Sequence, residues 1–579
     1  MAATNQQTYS LPAGLTSPVS KTLSAWNTEH TVSRIWRKDS TLWSGRDEHN
    51  WLGWLRIVDR QLADAGHLEH AVADVQSAGF EYALLLGMGG SSLCPEVFSE
   101  TFGPAAGFPR LRVLDSTDPA QVLARESEID LAKTLFIVAS KSGTTLEPTI
   151  FKQYFFERVS ETVGPEKAGD QFIAITDPGS QLEAEADRDG FRTIYYGLPE
   201  IGGRFSALSN FGMVPAALMG IDPLRFLQSA RRMVRACEME AVTRNPGVVL
   251  GVILGVLANH GVNKLTLVAS PAIGDLGAWL EQLIAESTGK QGKAIIPVDR
   301  EPLRAPRAYG DDRVFAYIRL QSQPNARQDA ALERLAKAGR PVIRIEVNDI
   351  YDLGQEFFRW EMATAVAGAV MGVNPFNQPD VQFSKAETSK LMEAYEEQGA
   401  LPAEEPFFEE DGLQLFSDPI NAGTLAAIAG GDRSLAGFLR AHLGRIGYRD
   451  YFALLAYLEM NPAHEAVLGE IRKVVLEKKG VATCLGFGPR FLHSTGQAYK
   501  AGHNTGVFLQ VTCNERVFVG APGRKYSFGV VKAAQARGDF QVLSDRARRA
   551  LRINITGEPG EGLRTLKRAV EEALSKKSR

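Results

Sequence analysis

Short apolar segments alternate with helical segments through most of the chain, and this alternation restricts the fold more than any other feature of the sequence. Strands that are apolar throughout, rather than at every second position, are typical of parallel sheets covered by helices on both faces. The pattern therefore predicts an α/β protein with two parallel sheets. The predicted strands of the first sheet are Tyr82–Gly87, Arg112–Asp115, Leu135–Ser140, Phe172–Thr176 and Arg192–Tyr196, and those of the second are Lys264–Ala269, Ala294–Val298, Arg313–Leu320 and Pro341–Val347.

The length of 579 residues predicts two or three domains, because single hydrophobic cores rarely grow that large. We assign residues 1–68 to an N-terminal tail followed by helices, 69–235 to a first α/β domain, 236–398 to a second, and 399–579 to a C-terminal mixed α/β region. Residues 1 to about 20 are expected to form a loose tail. The tryptophans between Trp26 and Trp54 are expected to pack onto the main body.

The C-terminal region begins with an acidic, proline-containing segment, Gly399–Phe408, that is typical of a linker. The segment Phe438–Lys479 is predicted to be helical. Two apolar strands, Val481–Gly486 and Gly506–Thr512, are predicted to flank a polar, glycine-rich loop.

Composition and charge exclude several classes of protein. A net charge of −4 argues against an extended basic surface, so no nucleic-acid partner is expected. The four cysteines form no C-x-x-C pair and are expected to be unpaired. The longest apolar run, Gly247–Ala258, is too short to span a bilayer and is predicted to be a buried helix. The N-terminal residues lack the basic start and apolar core of a secretory signal, and a cytoplasmic location is expected.

Two polar loops follow neighbouring predicted strands, and we expect them to bind phosphate. Each places hydroxyl groups and unpaired backbone N–H groups at the start of a helix, where the helix dipole favours an anion. Neither loop has the G-x-x-x-x-G-K-[ST] pattern or the glycine spacing of a dinucleotide site, so no nucleotide cofactor is expected. The candidate groups are Gly90 and Ser91 in the loop GMGGSS (87–92), and Ser140, Lys141, Ser142, Gly143, Thr144 and Thr145 in the loop SKSGTT (140–145).

Five motifs occur together in an order that resembles the phosphoglucose isomerase family. They are GMGGSS, SKSGTT, GGRFSALSNFG (202–212), QLIAESTGKQG (282–292) and NPFNQPDVQFSK (374–385). The resemblance covers roughly residues 80–390 and implies two αβα sugar-isomerase (SIS) domains with the active site between them. It also implies aldose–ketose isomerisation of glucose 6-phosphate and fructose 6-phosphate, without a metal or other cofactor, and a homodimer.

The region after Gly399 is similar to the bacterial branch in which the isomerase is fused behind a transaldolase. Fewer than 80 residues precede the first predicted sheet, so no transaldolase barrel is expected in this sequence.

The resemblance also implies roles for individual residues. Glu286 is the candidate base, and Gln282 lies one helical turn before it on the same face. Arg204 is the candidate partner for developing oxyanion charge, because a guanidinium stays protonated and offers several donors. Gln378 and Lys385 match the family's late glutamine and lysine, of which the lysine helps to open the sugar ring and bind substrate. In the family pattern the phosphate lies against the residues matching Ser91, Ser140, Ser142 and Thr145.

One part of the family pattern is missing. The family usually supplies a ring-opening histidine between the segments that match Glu286 and Gln378, but this sequence has no histidine from Thr288 to Gln378. Either that function has moved or the activity is altered. His493, on the polar loop after Val481–Gly486, is the first candidate replacement, and His503 is its competitor.

Other interpretations remain open at this point. A dual phosphoglucose/phosphomannose isomerase would use the same motifs, and a non-catalytic phosphosugar sensor would keep both loops without needing Glu286 or Arg204. A glucosamine 6-phosphate synthase would need an N-terminal cysteine, whereas residue 2 is Ala2. The region after Gly399 could also be a separate binding module.

Overall fold

The computed structural model describes residues 4–575, which form helices packed around three β-sheets. The strands are β1 (Gln6–Ser10), β2 (Tyr82–Gly87), β3 (Arg110–Leu114), β4 (Thr134–Ala139), β5 (Phe172–Thr176), β6 (Thr193–Tyr196), β7 (Lys264–Ala269), β8 (Ile296–Val298), β9 (Arg313–Leu320), β10 (Val342–Val347), β11 (Phe408–Glu410), β12 (Leu413–Phe416), β13 (Tyr451–Tyr457), β14 (Ala482–Phe487), β15 (Gly506–Cys513) and β16 (Arg549–Ile555).

The helices surround these sheets on both faces. They are α1 (Ala13–Thr28), α2 (Thr31–Trp36), α3 (Ile57–Ala63), α4 (Gly66–Ala78), α5 (Leu93–Phe102), α6 (Pro119–Ser127), α7 (Leu146–Val163), α8 (Pro165–Ala168), α9 (Gln181–Arg188), α10 (Asn210–Leu218), α11 (Pro223–Cys237), α12 (Pro246–Asn259), α13 (Leu276–Thr288), α14 (Ala326–Lys337), α15 (Leu353–Met371), α16 (Pro379–Gln398), α17 (Pro419–Ala429), α18 (Leu435–Gly444), α19 (Pro462–Lys479), α20 (Gly496–Ala501), α21 (Phe528–Asp545) and α22 (Pro559–Ser575).

The first two sheets confirm the predicted α/β fold. The first has the order β3-β2-β4-β5-β6 and is parallel throughout. The second has the order β1-β10-β9-β7-β8 and is parallel except at β1. The predicted strands of both sheets are present, with ends shifted by at most two residues.

The expectation of a loose N-terminal tail is wrong. Strand β1 pairs antiparallel with β10, with Gln6 opposite Glu346, and α1 begins at Ala13. The residues Gln6–Ser10 are mostly polar and their side chains mostly exposed, because the strand is held to the edge of the sheet by backbone hydrogen bonds.

The prediction of continuous helix over Phe438–Lys479 is also wrong. Strand β13 lies inside that span, between α18 and α19, and is buried along its whole length. The apolar run of β13 fits a buried strand as well as a buried helix, and periodicity does not separate the two. The two strands predicted after it are confirmed as β14 and β15.

The third sheet repeats the strand order of the other two. Its order is β11-β12-β16-β15-β13-β14, and β16, β15, β13 and β14 are parallel. Numbered within each sheet, the parallel strands run 2-1-3-4 in all three, with a fifth strand after them in the first sheet. In this order the chain leaves the first and third strands toward opposite sides, which opens a crevice at their carboxyl ends where ligands bind.

The predicted buried helix over Gly247–Ala258 is confirmed as α12, which packs closely against α15. A Cβ at Gly251 would lie 2.4 Å from the carbonyl oxygen of Ala363, so only glycine permits this approach. The four cysteines are unpaired, as predicted. Across residues 4–575, we find no helix both long and apolar enough to cross a membrane.

A buried charged network fixes the N-terminal strand. Arg359 donates to the carbonyl oxygen of Asn5 at 2.6 Å and to Oε1 of Gln7 at 2.9 Å, and lies 3.3 Å from Glu356. The side chains of Arg359 and Glu356 are fully buried. Burial raises the pKa of Glu356, and Arg359 opposes this by favouring the charged form.

Substitution of Arg359 tests this anchoring. Arg359→Met should lower the free energy of unfolding by about 3–5 kcal/mol, because it leaves Glu356 buried without its partner. The exposed Arg37→Met is the control and should change it by less than about 0.5 kcal/mol. Urea unfolding followed by circular dichroism measures both, and equal midpoints for the two variants would contradict the prediction.

Candidate active site

A cleft of about 760 Å³ brings together twelve of the fourteen site residues predicted from the sequence. Its lining comes from the loops at the carboxyl ends of β2 and β4, from α13, from the start of α16 and from the C-terminal region. The twelve are Gly90, Ser91, Ser140, Lys141, Ser142, Thr145, Arg204, Gln282, Glu286, Gln378, Lys385 and His493.

The two predicted phosphate loops lie side by side because their strands are neighbours. Strands β2 and β4 pair in parallel, so both loops leave the same edge of the sheet. Ser91 and Ser140 are buried in the floor of the cleft, and Ser142 is exposed at its surface. Thr145 is the residue immediately before α7. Hydroxyl groups therefore face the cleft next to a helix N-terminus, which is a favourable place for an anion.

Gly90 fits the first loop against the strand-to-helix turn that carries Arg204. A Cβ at Gly90 would lie 2.0 Å from the carbonyl oxygen of Gly203. Gly89 has a φ of +55°, and a Cβ there would meet Nε2 of Gln282 at 2.7 Å. These glycines allow the backbone of the first loop to touch the elements that carry the charged residues of the cleft.

Three predicted binding residues make contacts that support the second loop, and two of them do not line the cleft. Gly143 and Thr144 lie outside the cleft lining. Gly143 has a φ of +71° and packs on α9, and the Thr144 hydroxyl lies 2.9 Å from that of Ser142. Lys141 lines the cleft, but its ammonium pairs with Asp177 and donates to the Leu198 carbonyl at 3.2 Å.

Glu286 projects from the last turn of α13 into the cleft and is buried. Its Oε1 lies 3.3 Å from Nη1 of Arg204, and its Oε2 accepts a hydrogen bond of 3.2 Å from Nε2 of Gln282. Burial lowers the pKa of Arg204, and Glu286 opposes this effect. The predicted pairing of Gln282 with Glu286 on one helical face is therefore present.

Arg204 connects three elements around the cleft. Its Nε donates to Oγ of Ser287 on α13 at 2.8 Å, and its Nη1 donates to Oε1 of Gln378 at 3.0 Å. Its Nη2 donates to the carbonyl oxygens of Pro375 at 2.6 Å and Asn377 at 2.9 Å. The guanidinium thus fixes the segment before α16 as well as contacting Glu286.

His493 reaches the cleft from the C-terminal region, at the end of the short turn Arg490–His493 after β14. Its Nε2 lies 2.9 Å from Oε1 of Glu147, and its carbonyl oxygen accepts from Gln282 at 2.8 Å. His503, the competing candidate, is exposed and lies outside the cleft lining.

Glu147 is a functional candidate that the sequence did not reveal. It is buried in the first turn of α7, and its Oε1 also accepts a hydrogen bond of 2.6 Å from Nε2 of Gln535 on α21. Burial raises the pKa of Glu147, but the charge interaction and hydrogen bond with His493, a backbone hydrogen bond and the charge of Lys385 together outweigh this, so the pKa lies below its usual value. The only local signal was its position directly after a polar loop, since its partners lie far away in the sequence.

Lys385 lies at the exposed rim of the cleft, on the second turn of α16. Its charge lowers the pKa of Glu147, the residue that contacts His493. Gln378 immediately precedes the helix and is held by Arg204. The motif at residues 374–385 therefore contributes the fixed amide of Gln378 and the exposed ammonium of Lys385.

The sequence and the fold are both similar to those of known proteins. The sequence model of phosphoglucose isomerase matches residues 76–298. A glucose-6-phosphate isomerase of Rubrobacter xylanophilus is 31% identical over 375 residues, covering 56% of this chain and 86% of that protein. A solved structure of a hypothetical protein from Thermus thermophilus has a TM-score of 0.57 and 24% identity, covering 66% of this chain and 99% of the other. A glucose-6-phosphate isomerase structure from Chlamydia trachomatis has a TM-score of 0.50 and 21% identity, covering 63% of this chain and 78% of the other. At these identities the two structures show a shared fold.

The close approach at Gly90 provides a test of the loop packing. Gly90→Ala should lower the free energy of unfolding by about 1–3 kcal/mol, because the added Cβ overlaps the Gly203 carbonyl. Gly202→Ala, whose Cβ would have no neighbour within 4 Å, is the matched control and should change it by about 1 kcal/mol or less. Both are measured by chemical denaturation. If Gly90→Ala were as stable as the Gly202→Ala control, the contact between the two turns would not contribute to stability.

Proposed function

The chain belongs to the phosphoglucose isomerase family, and on that premise we propose that it interconverts glucose 6-phosphate and fructose 6-phosphate through an enediolate, with Glu286 as the base. The observation that carries the proposal is the buried Glu286 carboxylate, held by Gln282 and Arg204 beside two phosphate loops in one cleft. Such a carboxylate is fixed in orientation, as proton transfer between adjacent carbons requires.

The proton steps follow from this placement. With the open-chain aldose bound, Glu286 removes the proton on C2 and returns it to C1, while the hydroxyl proton moves from O2 to O1. Negative charge develops on the substrate oxygens between these steps. Arg204, within 3.3 Å of Glu286, supplies a fixed positive charge close to that position. The reaction is an internal oxidation and reduction that needs no external electron acceptor.

In this proposal the substrate phosphate binds to the loops at residues 87–92 and 140–145. The hydroxyls of Ser91, Ser140, Ser142 and Thr145 and the N–H groups at the start of α7 supply donors without a bound cation. Lys141 is assigned a positioning role, since its ammonium is already paired with Asp177. Anchoring the phosphate there leaves the sugar carbons in reach of α13, which carries the base.

We assign ring opening to His493, with Lys385 at the rim of the same cleft. Glu147 engages Nε2 of His493, which leaves Nδ1 to exchange a proton with the ring oxygen and the C1 hydroxyl. Gln535 holds Glu147 in place, so the orientation of the histidine depends on α21 of the C-terminal region. The histidine missing between Glu286 and Gln378 is thus replaced by one that follows α19 in the sequence.

The same contacts favour catalysis over sensing. A phosphosugar sensor would need the two loops but not a carboxylate buried against a guanidinium, since burying charged groups is costly. Both Glu286 and Arg204 are more than nine-tenths buried and face the cleft.

Removal of the base is the first test. Glu286→Gln keeps the shape of the side chain but removes its basic oxygen, so kcat for fructose 6-phosphate should fall by about 10²–10⁴ with a small change in KM. Glu281→Gln, on the same helix but outside this cleft, is the control and should keep nearly full activity. A coupled assay measures both variants; if Glu286→Gln turned over normally, the assignment of the base would be wrong.

Ring opening gives a second test. His493→Ala should slow turnover of cyclic glucose 6-phosphate by about 10²-fold or more, because the proton exchange that opens the ring is lost. An open-chain substrate analogue should be affected much less. His503→Ala, outside the cleft, serves as the control. Equal losses on both substrates would remove the ring-opening role from His493.

A further inference from the structure

A second cavity, of about 570 Å³, lies at the carboxyl end of the third sheet. Its floor includes Tyr457 at the end of β13 and Thr512 and Cys513 at the end of β15. These two strands are the central pair from which the chain departs to opposite sides of the sheet. The corresponding crevice of the first sheet, between β2 and β4, holds the two phosphate loops, so this cavity occupies the ligand position of the third sheet.

Two arginines converge on one carboxylate in this cavity. Nε of Arg537 lies 2.9 Å and Nη2 of Arg552 lies 2.7 Å from the same oxygen, Oε2 of Glu404. Arg552 is 4% exposed and Arg537 17%, whereas Glu404 is 37% exposed. The two cations therefore belong to the wall of the cavity, and the carboxylate reaches them from its outer side.

Glu404 comes from the part of the chain with the least regular structure near the cavity. Residues 399–407, between α16 and β11, form neither helix nor strand, and residues 399–404 line the cavity. Glu404 is thus the tip of a connecting segment placed between two residues of the folded core, Arg537 on α21 and Arg552 on β16.

The two arginines need an anion between them. Burial lowers the pKa of Arg537, the nearby Arg552 lowers it further, and Glu404 is the group that raises it. Lys532, also in the wall, is already paired with Asp118 at 2.8 Å. Glu515, the other carboxylate of the wall, accepts from Ser527 at 3.2 Å, and burial raises its pKa.

We propose that this cavity is a second binding site, for a small phosphomonoester whose phosphate replaces the Glu404 carboxylate between Arg537 and Arg552. Paired guanidinium groups match the oxygens of a phosphate better than a single carboxylate oxygen. The hydrogen-bonded side chains of Thr512, Asn514 and Asn554 line the cavity and offer amide and hydroxyl groups to the rest of the ligand. The volume lies in the range of sites for small molecules.

Titration calorimetry with glycerol 3-phosphate tests the site on the full chain. Glu404→Gln removes the resident anion and should tighten binding at this site by about tenfold, as expected if Glu404 occupies it nine-tenths of the time. The double variant Arg537→Gln/Arg552→Gln should lose this binding by about tenfold or more while still binding at the cleft. Arg564→Gln/Arg568→Gln, an exposed pair outside the cavity, gives the same change in net charge and should bind as the wild type does.

The outcomes separate this site from the cleft. Glu404→Gln and both double variants leave every cleft residue intact, so their isomerase activity and circular dichroism spectra serve as checks of folding. The proposal is overturned if Glu404→Gln binds glycerol 3-phosphate no more tightly than the wild type. It is also overturned if gluconate, which has a carboxylate but no phosphate, binds this variant equally well.

Discussion

The contacts of one buried guanidinium hold the cleft together. Arg204 comes from the turn after the first sheet, yet its donors satisfy Ser287 on α13 and two carbonyl groups before α16. These elements carry three side chains that line the cleft: Glu286, Gln378 and Lys385. A lysine could not replace it, because a single ammonium lacks the planar set of donors that reaches all three directions. The position of Glu286, the proposed base, relative to the two polar loops therefore depends on Arg204 before any substrate enters.

Features encoded by short stretches of sequence were predictable. The parallel strands of the first two sheets, the loops after β2 and β4, and the pairing of Gln282 with Glu286 all follow from neighbouring residues. Strand β1 was not predictable, because its partner β10 lies more than 300 residues later in the sequence and its own residues are mostly polar. Strand β13 was predicted to be helical for a different reason. A run of seven apolar residues between two helices shows neither the periodicity of a helix nor that of a strand.

The site shows the same division between local and distant information. Motif order identified Glu286 and Arg204, but it could not show that the ammonium of Lys141 is bound to Asp177, or that Gly143 serves the turn. Glu147 was missed because its role comes from His493 and Gln535, which lie hundreds of positions later in the chain. Side chains that act through a tertiary contact leave little trace in the sequence around them.

Helix α21 connects the second cavity with the surroundings of the cleft. Gln535 donates to Glu147, which contacts His493, whereas Arg537, two positions further on, pairs with Glu404 in the second cavity. His493 and Gln535 also mean that the C-terminal region and the two sugar-isomerase sheets jointly build one cleft from a single polypeptide. The side chains that line the described cleft therefore belong to one covalent chain, and the histidine at the cleft is present only where the C-terminal region is folded.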